Sequence, residues 1–185
     1  MRKRIVILTV LLMILLAGCR SDARQLNEEK YNAYLAYYQA ILDYDNKQSQ
    51  SNEFDINLVI NKLSDESYRY DVIIDNPKVA MYNIEVLMIV DDIAHAVRTD
   101  VMMPSVGIFD DETYTMIPYQ VDLEKNYVKG LDLSATGSEE AIHVSVMVQF
   151  TNKEKTRTTR EYFALSSSYS SQEEAGQQEG TQNNQ

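Results

Sequence analysis

The chain has no tryptophan, one cysteine, two histidines, three prolines and six glycines in 185 residues. Each shortage excludes something. A single thiol can form no internal disulfide and no cysteine zinc site. A domain of this chain must therefore be held by its hydrophobic core. Few glycines, and none in a Walker-type or dinucleotide-binding pattern, leave little material for a phosphate-cradling loop. No serine sits in a G-x-S-x-G elbow and no HExxH occurs. A paired-carboxylate glycosidase would need a sugar cleft, usually lined with tryptophan. His95 and His143 are isolated from each other in sequence, and His143 alternates with Ser145 and Gln149 on the outward parity of its strand. Both read as surface or structural histidines.

What is present is acid, tyrosine and alternating apolar residues. The formal net charge is −11. Without Arg2, Lys3 and Arg4 the 17 basic residues fall to 14 against 28 acids, a net charge of −14. That balance argues against nucleic-acid binding, which needs a basic footprint. It suits solubility, cation attraction or basic partners.

The N-terminus has three parts in order. Arg2-Lys3-Arg4 is a positive leader. Ile5 to Leu16 is an uncharged apolar run. It fits the roughly 7–15 residues of a secretory h-region and is shorter than the roughly 20 needed to span a bilayer. Leu16-Ala17-Gly18-Cys19 follows. This arrangement resembles the signal peptide and lipobox of bacterial lipoproteins. The resemblance covers residues 1–19. It implies cleavage between Gly18 and Cys19 and a diacylglycerol on the Cys19 thiol. Two acyl chains give stable anchoring. The implied location is the extracytoplasmic face of the cell membrane. Arg20 in place of Asp leaves the outer membrane open in a cell that has one.

Beyond a polar tether, residues 19–24, the period becomes helical over residues 25–48. Tyr31, Tyr34/Leu35, Tyr38 and Ile41/Leu42 form one apolar stripe. Asn27 with Glu28 and Glu29 offers a cap and negative charge at the helix start. Tyr37 and Tyr44 share a second face with Ala33 and Ala40. That face either lies in a broad groove with the first or forms a partner-binding or self-association surface.

From Phe54 the period is two. Phe54, Ile56, Leu58 and Ile60 form one inward set. Tyr68, Tyr70, Val72 and Ile74 form another, ended by Asn76-Pro77. Tyr82, Ile84, Val86, Met88 and Val90 follow. Ile117, Tyr119, Val121 and Leu123 suggest a further strand, then Tyr127, Leu131, Leu133 and Ala135. Ile142, Val144, Val146, Val148 and Phe150 turn through Asn152–Lys155 into a return strand with Phe163 and Leu165 inward. Residues 93–111 are the least readable, with a short edge strand around Val106 to Phe109. The pattern predicts a mainly β domain over residues 54–165. It resembles an immunoglobulin-like antiparallel β-sandwich of about seven strands, each sheet with one buried face, preceded by one amphipathic α-helix. A small barrel is the alternative. Residues 166–185 read as a disordered polar tail.

Acidic clusters are the remaining chemical candidates. Asp91-Asp92 follows a strand, and Asp110, Asp111 and Glu112 lie in a loop. Calcium needs six to eight oxygens. Asp43 and Asp45 start with EF-hand spacing, but Gln48 and Phe54 stand where Gly and Glu belong. No cofactor is implied. The expectation is a non-catalytic binding or assembly module of the cell envelope, held to the membrane by lipid and engaging an envelope protein. The alternatives are a ligand- or cation-binding lipoprotein using acidic loops and, third, a hydrolase.

Overall fold

Alternating side chains become two facing sheets. The computed structural model describes residues 27–64, 66–90 and 96–170. Its strands are β1 (Asp55–Ser64), β2 (Ser67–Asp75), β3 (Met81–Val90), β4 (Ser105–Val106), β5 (Tyr114–Met116), β6 (Gly130–Gly137), β7 (Ala141–Thr151) and β8 (Thr158–Ser168). One sheet has the order β1-β2-β6 and the other β4-β3-β7-β8, with β5 also on β3. The pairings between these strands are antiparallel. The predicted inward residues of β1, β2, β6, β7 and β8 meet between the sheets. Phe54 sets its ring edge-on to Phe163 at 5.7 Å and to Phe150 at 6.3 Å. The fold is a β-sandwich.

The larger sheet is buried on both faces, not on one. Leu87, Ile89 and Met147 point away from the sandwich core and are fully buried. Helix α1 (residues 27–43) covers them, with Tyr34, Tyr38 and Ile41 fully buried beneath it. The molecule therefore has three layers, with the larger sheet in the middle. This explains why β3 ends in the unbroken apolar run Val86 to Val90: a strand covered on both sides has no polar parity.

Helix α1 crosses the strands from one edge of this sheet to the other. Near its start Lys30 Nζ donates to the carbonyls of Phe109 and Asp110, both at 3.0 Å, and pairs with Asp111 at 2.9 Å. The Tyr34 hydroxyl accepts from the Met103 backbone N–H at 2.9 Å. At the far side Tyr44 stacks on Tyr162 of β8 at 4.3 Å. Beyond it, the Gln48 N–H donates to the Tyr162 carbonyl at 2.9 Å and its carbonyl accepts from Ala164 at 3.0 Å. This parallel bridge covers part of the β8 edge, which limits unwanted strand pairing.

Several expectations need correction. Tyr82 leaves the β3 stripe because Asn83 adopts φ 47°. The register shifts there against both β5 and β7. A bulge changes parity locally, so Met81 joins Ile84 in the core. The strand expected over Ile117–Leu123 is a loop. Pairing with β3 stops at Met116, Tyr119 takes φ 61°, and Leu123–Lys125 form a 3-10 turn. The edge strand expected over Val106–Phe109 is Ser105–Val106, ended by Gly107 at φ +80°. The polar tail expected from residue 166 overlaps β8, which runs to Ser168. Tyr169 packs on Tyr68 at 5.7 Å and donates its N–H to the Glu140 carbonyl at 2.8 Å. Among the described residues there are eight strands against about seven expected, with short β4 and β5 both adding to β3.

The buried tyrosines give a pH prediction. The Tyr68 hydroxyl donates to Glu140 Oε1 at 2.7 Å. That bond, helped by burial and the carboxylate charge, pushes its pKa up to about 12. Burial raises Tyr34, Tyr37 and Tyr38 as well. Each is neutral in the fold and ionises more easily when unfolded. Their stabilisation is complete below the ordinary phenol value of about 10 and is lost as pH rises through each raised pKa, which for Tyr68 is about 12. In an alkaline titration followed at 295 nm, these phenols are expected to ionise together with unfolding, above the exposed ones. A single transition at the ordinary value, with the fold intact, would contradict this.

Candidate functional site

The structure separates the carboxylates of the acidic loop. Asp110 Oδ2 accepts the Gly107 N–H at 2.7 Å, Asp111 pairs with Lys30, and Glu112 Oε2 accepts from Asn126 Nδ2 at 3.0 Å. Each goes to a different partner. Asp43, the first of the EF-hand-like pair, accepts from Gln39 on its own helix. Among the described residues no group of three or more His, Cys, Asp or Glu side chains could hold a metal ion. Gly18, Cys19, Asp91, Asp92 and His95 lie outside the described residues. His143 is exposed, with Nδ1 at 2.7 Å from Ser166 Oγ.

The helix expected to reach residue 48 ends at 43, so the second tyrosine face is Tyr37 on α1 and Tyr44 just past its end, and it lies on the same sheet as the first. The Tyr37 hydroxyl donates to Glu85 Oε2 at 2.7 Å and accepts from Gln149 Nε2 at 3.0 Å. Gln149 Nε2 also donates to Glu85, and Arg160 stands over the Tyr37 ring at 4.8 Å while donating to Gln149 Oε1. A half-buried aromatic hydroxyl thus finds the polar partners it needs. Burial first, and the Glu85 carboxylate second, raise the Tyr37 pKa. Tyr44 is 41% exposed but stacked on Tyr162. The broad groove accounts for both residues through the chain's own contacts.

A second buried polar cluster was invisible in the pattern. Asp71 lies on the outward parity of β2, yet is only 3% exposed. Asn61 of β1 and Arg69 donate to its Oδ2 at 2.7 and 2.8 Å, and Ser134 of β6 donates to Oδ1 at 2.7 Å. One carboxylate ties three strands, satisfied as a buried charge must be. Nearby Asp132 has its pKa raised by its own burial and then by the Asp71 charge.

The surface that stands out is the loop between β5 and β6, at the end of the sandwich where β2 turns into β3. Tyr119 is fully exposed, Leu123 is 72% exposed and Val121 60%. Three large apolar side chains within five residues face water. Tyr119 is held in left-handed backbone, which costs a non-glycine residue about 1–2 kcal/mol. The segment is nonetheless ordered. The Ile117 carbonyl accepts from Gln120 at 3.1 Å, the Asp122 N–H donates to the Tyr127 carbonyl at 2.9 Å, and Lys125 Nζ pairs with Asp122 Oδ2 at 2.5 Å. That lysine holds the Asp122 carboxyl below its usual range. Between this loop and the Asp75–Pro77 turn is an open cavity of about 340 Å³, lined in part by Tyr119, Val121, Val128 and Lys129. Pro118, inside the apparent strand, was the available sign that this run is not central strand.

A second opening of about 570 Å³ lies at the other end, lined by Tyr70, Val90, Val101, Met102, Met103 and Ile142 among others. Its tyrosine and arginine are engaged. The Tyr70 hydroxyl donates to the Glu139 carbonyl at 2.8 Å and accepts its N–H at 3.0 Å. Arg98 clasps Asp100 at 2.6 and 3.0 Å and lowers its carboxyl pKa. Compared with protein-family models, with curated proteins and with solved structures, the chain matches none.

Proposed function

We propose that this chain is a lipid-anchored, extracytoplasmic binding or assembly module of a bacterial cell envelope, with no chemistry of its own. The lipobox pattern Leu16-Ala17-Gly18-Cys19 supports the anchor. The sheet orders β1-β2-β6 and β4-β3-β7-β8 support the immunoglobulin-like reading, as they match strands A, B, E and C′, C, F, G of that sandwich. Such sandwiches host many functions, so the role rests on the surface. The observation that carries it is the exposed tip of Tyr119, Val121 and Leu123. Contiguous apolar side chains rimmed by polar ones mark interaction sites. The cation-binding alternative finds less support, because the loop carboxylates diverge.

Two measurements in intact cells test this. An alkyne fatty acid should label the wild-type chain and leave Cys19→Ala unlabelled; an unlabelled wild type removes the anchor. A photo-crosslinking phenylalanine at position 119 should give a discrete adduct, and one at Ser138, in the turn at the opposite end, should not. Equal yields at both positions remove the tip as the binding surface.

A further inference from the structure

We infer that the tip takes a cationic, apolar-faced segment of another protein; this rests on the binding-module reading. The apolar side chains do not by themselves choose among a bilayer, a second copy and a foreign chain. The charge around them does. Asp122 is paired with Lys125, Asp55 with Lys78 at 2.8 Å, and Asp111 with Lys30. That leaves Asp75 at the cavity wall, Glu124 within the loop and Glu112, which accepts from Asn126 of the loop, against Lys129. None of these four forms an ion pair among the described residues.

This surplus has the sign of the whole chain, which is −14 beyond its leader. Two identical tips would bring like charges together across an apolar contact, at a cost in free energy. Anionic headgroups repel it for the same reason. A protein segment that pairs aliphatic side chains with Lys or Arg gains on both counts. Its apolar residues cover Val121 and Leu123 and fill the cavity beside Tyr119. Its cations meet Asp75 and Glu124 at the rim. Tyr119 is the natural anchor, being large, nearly rigid and amphipathic. The loop backbone that carries it is already fixed by its own hydrogen bonds, so little main-chain ordering is lost on docking.

The test reads the chemistry of the adduct formed at position 119 in intact cells. Mass spectrometry is expected to place the crosslink in a foreign peptide with net positive charge and aliphatic residues near the attachment point. Two double variants, Val121→Ser with Leu123→Ser and Asp75→Lys with Glu124→Lys, should each lower the yield at least tenfold. Thermal scans should show both variants folded, since Val121, Leu123 and Glu124 are exposed and Asp75 is the last residue of β2. A neutral or acidic foreign peptide, a lipid adduct or an adduct to a second copy would overturn the inference and leave a tip-mediated binding module standing. So would a yield unchanged by charge reversal. No adduct above the Ser138 control would remove both readings.

Discussion

Phe163→Ala is expected to lower the melting temperature by roughly 10 °C or more. Phe163 is fully buried in β8, opposite Val146 of β7, with its ring 5.7 Å from that of Phe54. Truncation removes the aromatic pair and leaves a cavity between the sheets. Phe-to-Ala changes in cores cost about 3–5 kcal/mol. A domain of this size loses roughly 3–6 °C per kcal/mol. Total stability is about 5–15 kcal/mol, and no disulfide can make up the deficit. Thermal scans with urea titrations check this, with Tyr119→Ala as the contrast. That substitution, at a fully exposed position, should change stability by less than about 0.5 kcal/mol. A Phe163→Ala loss below about 1 kcal/mol would mean that the sheets do not close on this ring.

Gly107→Ala should be nearly as damaging, through another mechanism. Gly107 ends β4 at φ +80°, and a Cβ there would lie 2.1 Å from the Ile84 carbonyl oxygen and 3.3 Å from the Glu85 Cα. Both are backbone atoms of β3, fixed by pairing on either side. The left-handed backbone costs about 1–2 kcal/mol and forced packing about 1–3 kcal/mol. The loop must give way instead of the strand. It would take with it the Gly107 N–H bond to Asp110, the three Lys30 contacts and the Phe109 ring, 5.5 Å from Tyr34. The expected result is a loss of about 2–5 kcal/mol with a regional signature. Hydrogen exchange should quicken in helix α1 and the loop before β5, while the middle of β7 stays protected. Unchanged protection of α1 would show that the loop does not hold the helix.

These effects divide along what the chain states locally. The β7–β8 hairpin was readable because both strands keep period-two alternation across a polar turn. The β1 and β2 stripes were readable for the same reason. The stripe of Tyr34, Tyr38 and Ile41 was readable as a docking face, but not what it docks on. Val86 to Val90 held that information in part: an unbroken apolar run needs cover on both sides. Tyr82 misled because one left-handed asparagine reverses parity after it. The tip misled more, since Ile117, Tyr119, Val121 and Leu123 alternate as a strand does and yet point three side chains at water.

The amino-acid order by itself determined the β class, the helix before the strands, the inward parity of most strands and a core built without disulfides. Those properties follow from periods of 2 and 3.6, which depend only on near neighbours. The tertiary structure decided that α1 lies over the larger sheet, so that this sheet is buried twice. It also decided that Asp71 is a buried tie among three strands, and that the β5–β6 loop is an exposed tip beside an acidic rim. Each of these depends on which distant strands become neighbours. Burial, pairing of charge and exposure are properties of assembled layers, and short-range periodicity does not encode them.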